Sequence, residues 1–294
     1  MKTIGLFNPS SPVYTDVDLK KLETFFQKKG FHFVQSQNLW QKNRFLAGTD
    51  EQRASDIMDL FCDDNIDVLL AFRGGYGSMR VLDLLDYDLI KKHKKPVIGF
   101  SDTTALELAL WAKAGIESFT GFLANYDVIN PEKTDLMVDK TFDLAMSGAS
   151  LSTGIVPMND ACCDIGGTLI GGTLTLIEKL LGTPFCPDFK DCLLFIEDVG
   201  EEPYKADAML SHLRLAGVFE KVKGVIFGRF NKCTAEDEND GTMEDVINDL
   251  CMRCPNTAFW KGLPYGHIPS RIILPIGAHA DIKDNILSFS YSFS

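Results

Sequence analysis

The sequence predicts an α/β protein made of an N-terminal doubly wound (flavodoxin- or Rossmann-like) parallel sheet and a C-terminal α/β domain. Three observations carry that prediction. Apolar strand-like runs alternate with helical periodicity from residue 3 to residue 114, the pattern of βα units on a parallel sheet. Residues 68–72, Val68-Leu69-Leu70-Ala71-Phe72, are continuously apolar, as expected of a strand buried on both faces. Around Ser147-Gly148-Ala149-Ser150 the texture changes to a glycine-richer, less regular pattern, and 294 residues accommodate two domains of roughly 150 residues. The predicted domains are 1–150 and 151–294.

The elements follow in order. Residues 3–7 form the first strand. Thr15-Asp16-Val17-Asp18 opens a helix whose Leu19, Leu22, Phe25 and Phe26 share one face, and Gly30 ends it. Residues 31–34 are the second strand. Thr49-Asp50-Glu51-Gln52 is a capping box, followed by Ala54, Ile57, Met58 and Phe61 at helical spacing. After the third strand at 68–72, residues 78–85 are predicted helical, 97–100 a strand, 104–114 a helix and 134–146 another. In the second half, helices are predicted at 173–181 and 205–215, and strands at 192–196 and 224–228. Residues 235–240 are acidic and read as a solvated loop. Residues 286–293 alternate apolar and serine side chains, as a half-exposed last strand does.

Composition narrows the function. With 45% hydrophobic and 24% charged residues, the chain is an ordinary globular protein. A net charge of −12, from 29 basic and 41 acidic residues, argues against nucleic acid or an anionic membrane as partner. No run approaches the roughly 18 apolar residues of a membrane span. Met1-Lys2-Thr3-Ile4-Gly5-Leu6-Phe7 is too short an apolar stretch for a signal peptide, so a cytoplasmic location with reduced thiols is expected for the eight cysteines. Cys251-Met252-Arg253-Cys254 has metal-like spacing, but no second ligand pair accompanies it and it closes a helix before Pro255. No metal or cofactor is called for.

The candidate chemistry lies at strand ends. Ser101 sits in Val97-Ile98-Gly99-Phe100-Ser101-Asp102-Thr103-Thr104, where a strand turns sharply into a helix, as at a nucleophile elbow. The same run also serves as an N-cap cluster. Arg73-Gly74-Gly75-Tyr76-Gly77 follows a buried strand. It lacks the lysine of a phosphate loop and has Arg80 where a dinucleotide fingerprint needs glycine, which leaves an oxyanion loop or a tight turn. Glu197 ends the strand Leu193-Leu194-Phe195-Ile196-Glu197 and can either orient an imidazole or act as a turn acid. Of the five histidines, only His267 lies in a Gly/Pro-rich loop, Gly266-His267-Ile268-Pro269. His32 flanks a strand, His93 a basic run, His212 lies on a helix and His279 beside the last strand.

Taken together in order, these segments resemble the LD-carboxypeptidases, serine peptidases of murein recycling that include the microcin C self-immunity hydrolases. The likeness runs nearly end to end. It starts at Asn8-Pro9-Ser10-Ser11-Pro12 and continues through Leu46-Ala47-Gly48-Thr49-Asp50-Glu51-Gln52-Arg53, Arg73-Gly74-Gly75-Tyr76-Gly77 and Gly99-Phe100-Ser101-Asp102. It then takes in Gly171-Gly172, Leu181-Gly182-Thr183-Pro184, Phe195-Ile196-Glu197-Asp198, Gly266-His267 and Leu274-Pro275-Ile276-Gly277. The resemblance implies Ser101 as nucleophile, His267 as general base and Glu197 as its orienting acid, with the serine on one domain and its partners on the other. It also implies an oxyanion hole of backbone N–H groups near Gly75 and Asp102, and a homodimer. The chain departs from the family in Phe119-Thr120-Gly121-Phe122, where a His or Tyr and a Pro are common, and at Thr173, often Asn or Cys. These changes bring the substrate pocket into question.

The expected function is hydrolysis of the L,D amide bond that releases a C-terminal D-amino acid from a murein tetrapeptide through an acyl-enzyme. Arg73, Tyr76 and Arg80 are candidates for binding this small peptide. The alternatives are a self-immunity hydrolase of aminoacyl nucleotide analogues and a non-catalytic small-molecule binder whose Ser101 is only a helix cap.

Overall fold

The computed structural model describes residues 2–14, 16–130 and 134–291; Thr15 and residues 292–293 of the expected last strand lie outside them. The first sheet contains β1 (Thr3–Phe7), β2 (His32–Gln35), β3 (Val68–Ala71), β4 (Val97–Gly99) and β5 (Ser118–Thr120). Its order is β2-β1-β3-β4-β5, all parallel, a flavodoxin-like doubly wound arrangement. Ligands bind such sheets outside the carboxyl ends of the strands. Here the loops leaving β1, β3 and β4 lie side by side at that end.

The helices of this half follow local signals. Helix α1 (Leu19–Lys28) starts at Asp18, whose carboxylate accepts from the Lys20 N–H, and turns Leu22 and Phe26 to the core. Helix α2 (Asp50–Cys62) carries the expected capping box between Thr49 and Gln52. The expected helix after β3 is a 3₁₀ segment, Ser78–Leu84, and a further helix, α3 (Tyr87–His93), is capped by Asp86. Helix α4 (Thr104–Ala114) is buried almost all round, because it packs against β4 and β5 and also against the second half. A helix apolar on every side belongs in such a position. Helix α5 (Leu136–Ser147) ends the first half, with Gly148 in the left-handed conformation.

The second sheet has eight strands. They are β6 (Ser150–Gly154), β7 (Val156–Pro157), β8 (Ile165–Thr173), β9 (Cys192–Val199), β10 (Gly224–Asn231), β11 (Ala258–Lys261), β13 (His279–Lys283) and β14 (Ile286–Ser290), with β12 (Leu274–Ile276) set apart. The order is β6-β14-β13-β8-β9-β10-β11-β7. The four strands β8 to β11 are parallel, with antiparallel strands on both flanks. Helices α6 (Leu174–Leu180), α7 (Pro203–Leu215) and α8 (Met243–Arg253) pack together in series. The acidic stretch contributes a short 3₁₀ turn, Glu238–Asp240.

The two halves are stitched rather than merely apposed. Strand β12 leaves the second half and pairs antiparallel with β5 at the edge of the first sheet. Arg271, fully buried, forms a two-pronged ion pair with buried Asp127 at 2.6 and 2.8 Å and donates to the Gly121 carbonyl at 2.8 Å. Asp127 also accepts from the Leu123 N–H and the Thr134 hydroxyl. At Gly172, where φ is +142°, a Cβ would come within 2.5 Å of the Thr104 side chain on α4. Only glycine lets the two halves approach so closely there.

Removing one partner of a buried ion pair leaves an uncompensated charge and costs about 3–5 kcal/mol. The variant Arg271→Met is expected to lose stability of that order in urea unfolding. A loss below ~1 kcal/mol would mean that the pair does not hold the halves together.

Candidate active site

Ser101 stands at the turn from β4 into a 3₁₀ segment that leads into α4, with φ +64°. Few non-glycine residues occupy this left-handed region, and holding one there costs on the order of 1–3 kcal/mol. The surrounding loops supply the restraint. The Asp102 carboxylate accepts from the Ser10 hydroxyl at 2.6 Å and the Ser78 N–H at 2.8 Å, while the Asp102 carbonyl accepts from the Ser78 hydroxyl. One buried acid thus ties the loops after β1, β3 and β4. Arg53, buried on α2, adds donors to the carbonyls of Pro9 and Gly77.

The second half delivers the partners. Strand alternation sends Glu197 and Asp198 to opposite faces of β9. Asp198 turns to the start of α6, accepting from Thr175 and the Val199 N–H, and burial raises its carboxyl despite these bonds. Glu197, wholly buried, accepts from the Thr173 hydroxyl at 2.7 Å through Oε1. Its Oε2 accepts from the His267 backbone N–H at 3.2 Å and lies 2.8 Å from His267 Nδ1. His267 Nε2 lies 2.9 Å from Ser101 Oγ. Asn231 holds the His267 carbonyl at 2.6 Å, and the Phe100 ring lies against the imidazole with centroids 4.5 Å apart.

Three groups named from sequence therefore meet in one hydrogen-bonded series. With Glu197 ionised, Nδ1 carries the proton and Nε2 is free to accept from the Ser101 hydroxyl. Such a series lets a hydroxyl proton pass to an imidazole held by a buried carboxylate.

The other named residues divide. Gly75, with φ +119°, sits so close to Ser11 that a Cβ would come 2.5 Å from its hydroxyl. Among the described residues nothing accepts a hydrogen bond from its N–H. Arg73 donates to the Pro12 and Gly74 carbonyls and lies over the Tyr14 ring. Burial lowers its guanidinium from the ordinary value, and no carboxylate pairs with it among the described residues. Tyr76 is half exposed, edge-on to Phe45. Arg80 is bound by Asp50 through both carboxylate oxygens, at 2.6 to 3.0 Å, which raises it further above its ordinary value.

Thr120 and Phe122 are buried behind the crevice. Thr120 bonds the Tyr265 hydroxyl at 2.8 Å, and Phe122 packs on Phe142. Cys251 and Cys254 are buried thiols at the end of α8, with Cys251 pushed up to about 11 by burial. Sequence reasoning did not find Ser10, Ser78, Asn231 or the side-chain role of Asp102. Ser10 and Asp102 lie inside the motifs it singled out, whereas Ser78 and Asn231 carry no local signal.

A partly buried serine at a strand-to-helix elbow, facing a partly buried histidine backed by a fully buried glutamate, defines a serine-hydrolase type of site. Residues 4–121 match the LD-carboxypeptidase N-terminal domain and residues 166–282 the LD-carboxypeptidase C-terminal domain. A relative in Bacillus subtilis (strain 168), named "Probable murein peptide carboxypeptidase", is 32% identical over 290 residues, covering 95% of this chain and 88% of the relative. The crystal structure of muramoyltetrapeptide carboxypeptidase from Oxalobacter formigenes superposes with a TM-score of 0.88 at 28% identity, covering 98% of both chains. The microcin C7 self-immunity protein MccF of Escherichia coli is 27% identical over 263 residues, 77% of this chain and 75% of that protein. The chain belongs to the LD-carboxypeptidase family.

Asp102→Ala strips the Ser10 hydroxyl and the Ser78 N–H of their buried acceptor, at about 1–3 kcal/mol each. The variant should melt earlier and react with a serine-directed fluorophosphonate at least tenfold (roughly 1.4 kcal/mol) more slowly. Unchanged labelling would show that the clamp does not set the elbow.

Proposed function

We propose that this chain is a serine carboxypeptidase that cleaves the L,D amide bond of murein tetrapeptides, releasing the C-terminal D-amino acid. The observation that carries the reading is the series from Ser101 Oγ through His267 to Glu197, at 2.9 and 2.8 Å. The similarity to the murein peptide carboxypeptidase, higher and longer than that to MccF, supports the substrate.

In this reading Ser101 Oγ attacks the scissile carbonyl carbon while its proton moves to His267 Nε2. Glu197 stays ionised, fixes the imidazole through Nδ1–H and stabilises the imidazolium. The carbonyl oxygen becomes an oxyanion that accepts from the backbone N–H groups of Gly75 and Asp102. Each donor is worth about 3 kcal/mol of barrier. The tetrahedral intermediate collapses, the C–N bond breaks, and His267 returns its proton to the leaving amine. A water molecule then gives a proton to Nε2 and attacks the acyl-enzyme, releasing the shortened peptide acid and restoring Ser101.

Arg73 is the cation we assign to a substrate carboxylate, because Arg80 is already committed to Asp50. A planar guanidinium suits two-pronged carboxylate binding. Tyr76 would border the same rim.

Incubation with a murein tetrapeptide should release D-alanine, and Ser101→Ala should lower kcat by on the order of 10⁴–10⁶-fold while the fold is kept. Unchanged turnover in that variant would discard the mechanism. Cleavage of an aminoacyl sulfamoyl nucleotide in place of the peptide would discard the substrate. Arg73→Met should raise KM roughly tenfold or more with kcat nearly kept, as loss of uniform binding does; an unchanged KM would free Arg73 from that role.

A further inference from the structure

Behind the elbow lies a carboxyl group for which the chemistry above has no use. Glu107, on the first turn of α4, is fully buried, and neither of its side-chain oxygens makes a hydrogen bond of ordinary geometry among the described residues, the Thr120 hydroxyl being the polar group beside them. Buried polar groups are nearly always paired, so such a group calls for an explanation. Its Oε1 lies beneath the start of the elbow, where a Cβ on Gly99 would come within 2.8 Å of it. The hydroxyls of Thr103 and Ser118, also fully buried, are likewise unpartnered.

Among the described residues the surroundings offer it no cation. Strands β4, β5, β8 and β12, which pack around α4, carry no charged residue at all. Of the charged groups on neighbouring helical segments, Asp83, Asp88, Lys91, Lys92 and Lys179 are exposed, Arg80 is paired with Asp50, Glu178 with His212, His93 lies beside Asp64, and Asp102 is taken up by Ser10 and Ser78. The Thr120 hydroxyl favours its charged form, but desolvation outweighs that and pushes the carboxyl up to about 8. At neutral pH the group is therefore an uncharged acid that can donate one hydrogen bond.

Thr120 leads on to the histidine. Its hydroxyl bonds Tyr265 across the junction of the two halves at 2.8 Å. Tyr265 is itself raised far above the ordinary phenol value, first by burial and then by Glu197, with Glu107 adding to the effect and Arg271 opposing it. Tyr265 lies two residues before His267, its ring is edge-on to Phe100, and Phe100 also lies against the imidazole. A buried polar seam thus runs from α4 through β5 to the loop that carries His267.

We propose that Glu107 is a positioning residue that acts as a neutral acid, its carboxyl completing the Thr120–Tyr265 seam that seats the His267 loop against the Ser101 elbow. Ionisation would place an unpaired charge in a fully buried site, where solvation demands rearrangement of the surrounding hydroxyls. The seat loosens, and the approach of His267 to Ser101 is lost. Because the folded-state acid lies above its ordinary value, the neutral form and the seated arrangement prevail below about pH 8 and are lost as pH rises through it. The proposal rests on the roles given above to Ser101 and His267.

The test is the pH dependence of fluorophosphonate labelling at Ser101, together with that of kcat, for the wild type, Glu107→Gln and Glu107→Leu. Gln keeps a neutral donor, and Leu fills the space without a titratable group. The wild-type labelling rate should fall above about pH 8, approaching tenfold per pH unit. Glu107→Gln should keep the neutral-pH rate within about threefold (under ~1 kcal/mol) and lose that fall. If Glu107→Gln does not fold, Glu107→Leu is expected to label more slowly at neutral pH but without the alkaline fall. The same alkaline fall in either folded variant would overturn the proposal. Absence of labelling at every pH in the wild type would instead overturn the roles of Ser101 and His267. As a readout independent of both roles, the melting temperature of the wild type should drop more steeply between pH 5 and 8 than that of Glu107→Gln, because only the wild type must hold a proton that its unfolded chain releases. Parallel slopes would overturn the neutral-acid assignment.

Discussion

The left-handed turn at Ser101 is the constraint on which the crevice depends. A serine does not adopt it without restraint, and the restraint comes from elements distant in sequence. Asp102 can reach Ser10 and Ser78 together only because β1, β3 and β4 are neighbours in the sheet. The order of strands is thus what makes the turn affordable. The Gly99 carbonyl, just before the turn, accepts from the N–H groups of Gly121 and Phe122, so the strand end is held from the β5 side as well. Strain held by a rigid surround is preorganisation, and it keeps the hydroxyl presented with no substrate bound.

The second half is attached in a way that fixes the position of His267. Strand β12 completes the first sheet, and the Arg271–Asp127 pair locks the segment that joins it to the histidine loop. A fully buried carboxylate such as Glu197 is tolerable only if its lone pairs are used. Thr173, the His267 backbone and the imidazole use them. The crevice therefore cannot open by simple rotation of one half against the other without breaking a strand pairing and a buried ion pair.

Relatives with different names, a murein peptide carboxypeptidase and a microcin self-immunity protein, share this fold, so the scaffold alone does not choose a substrate. The family departures at Thr120, Phe122 and Thr173 bear on that choice less than their sequence positions suggest. Two of them pack behind the crevice, and the third supports Glu197. Side chains free to meet a substrate cluster instead on the loops after β1, β2 and β3. There Tyr14, Phe45 and Tyr76 are exposed, with Lys42, Arg44 and Arg73 beside the rings.

Local chemistry alone determined much of the architecture. The apolar run that became β3, the capping box of α2 and the alternation of the first half are short-range signals, and they fold as read. Short or glycine-rich strands such as β5, β8 and β12 carry no local signal, because pairing partners far along the chain define them. Helix α3 is too short and polar to show periodicity. At the site, the elbow, the strand-end acid and the loop histidine made Ser101, Glu197 and His267 candidates along the chain, each with a structural alternative, and the ordered resemblance to the family joined them. Only the tertiary structure decided that they meet, that Arg80 pairs with Asp50 while Arg73 has no carboxylate partner among the described residues, that the Asp102 side chain is a clamp, and that Glu107 is buried with no counter-ion among those residues. Those facts concern desolvation and distance between remote residues, and neither quantity exists until the two halves are packed together.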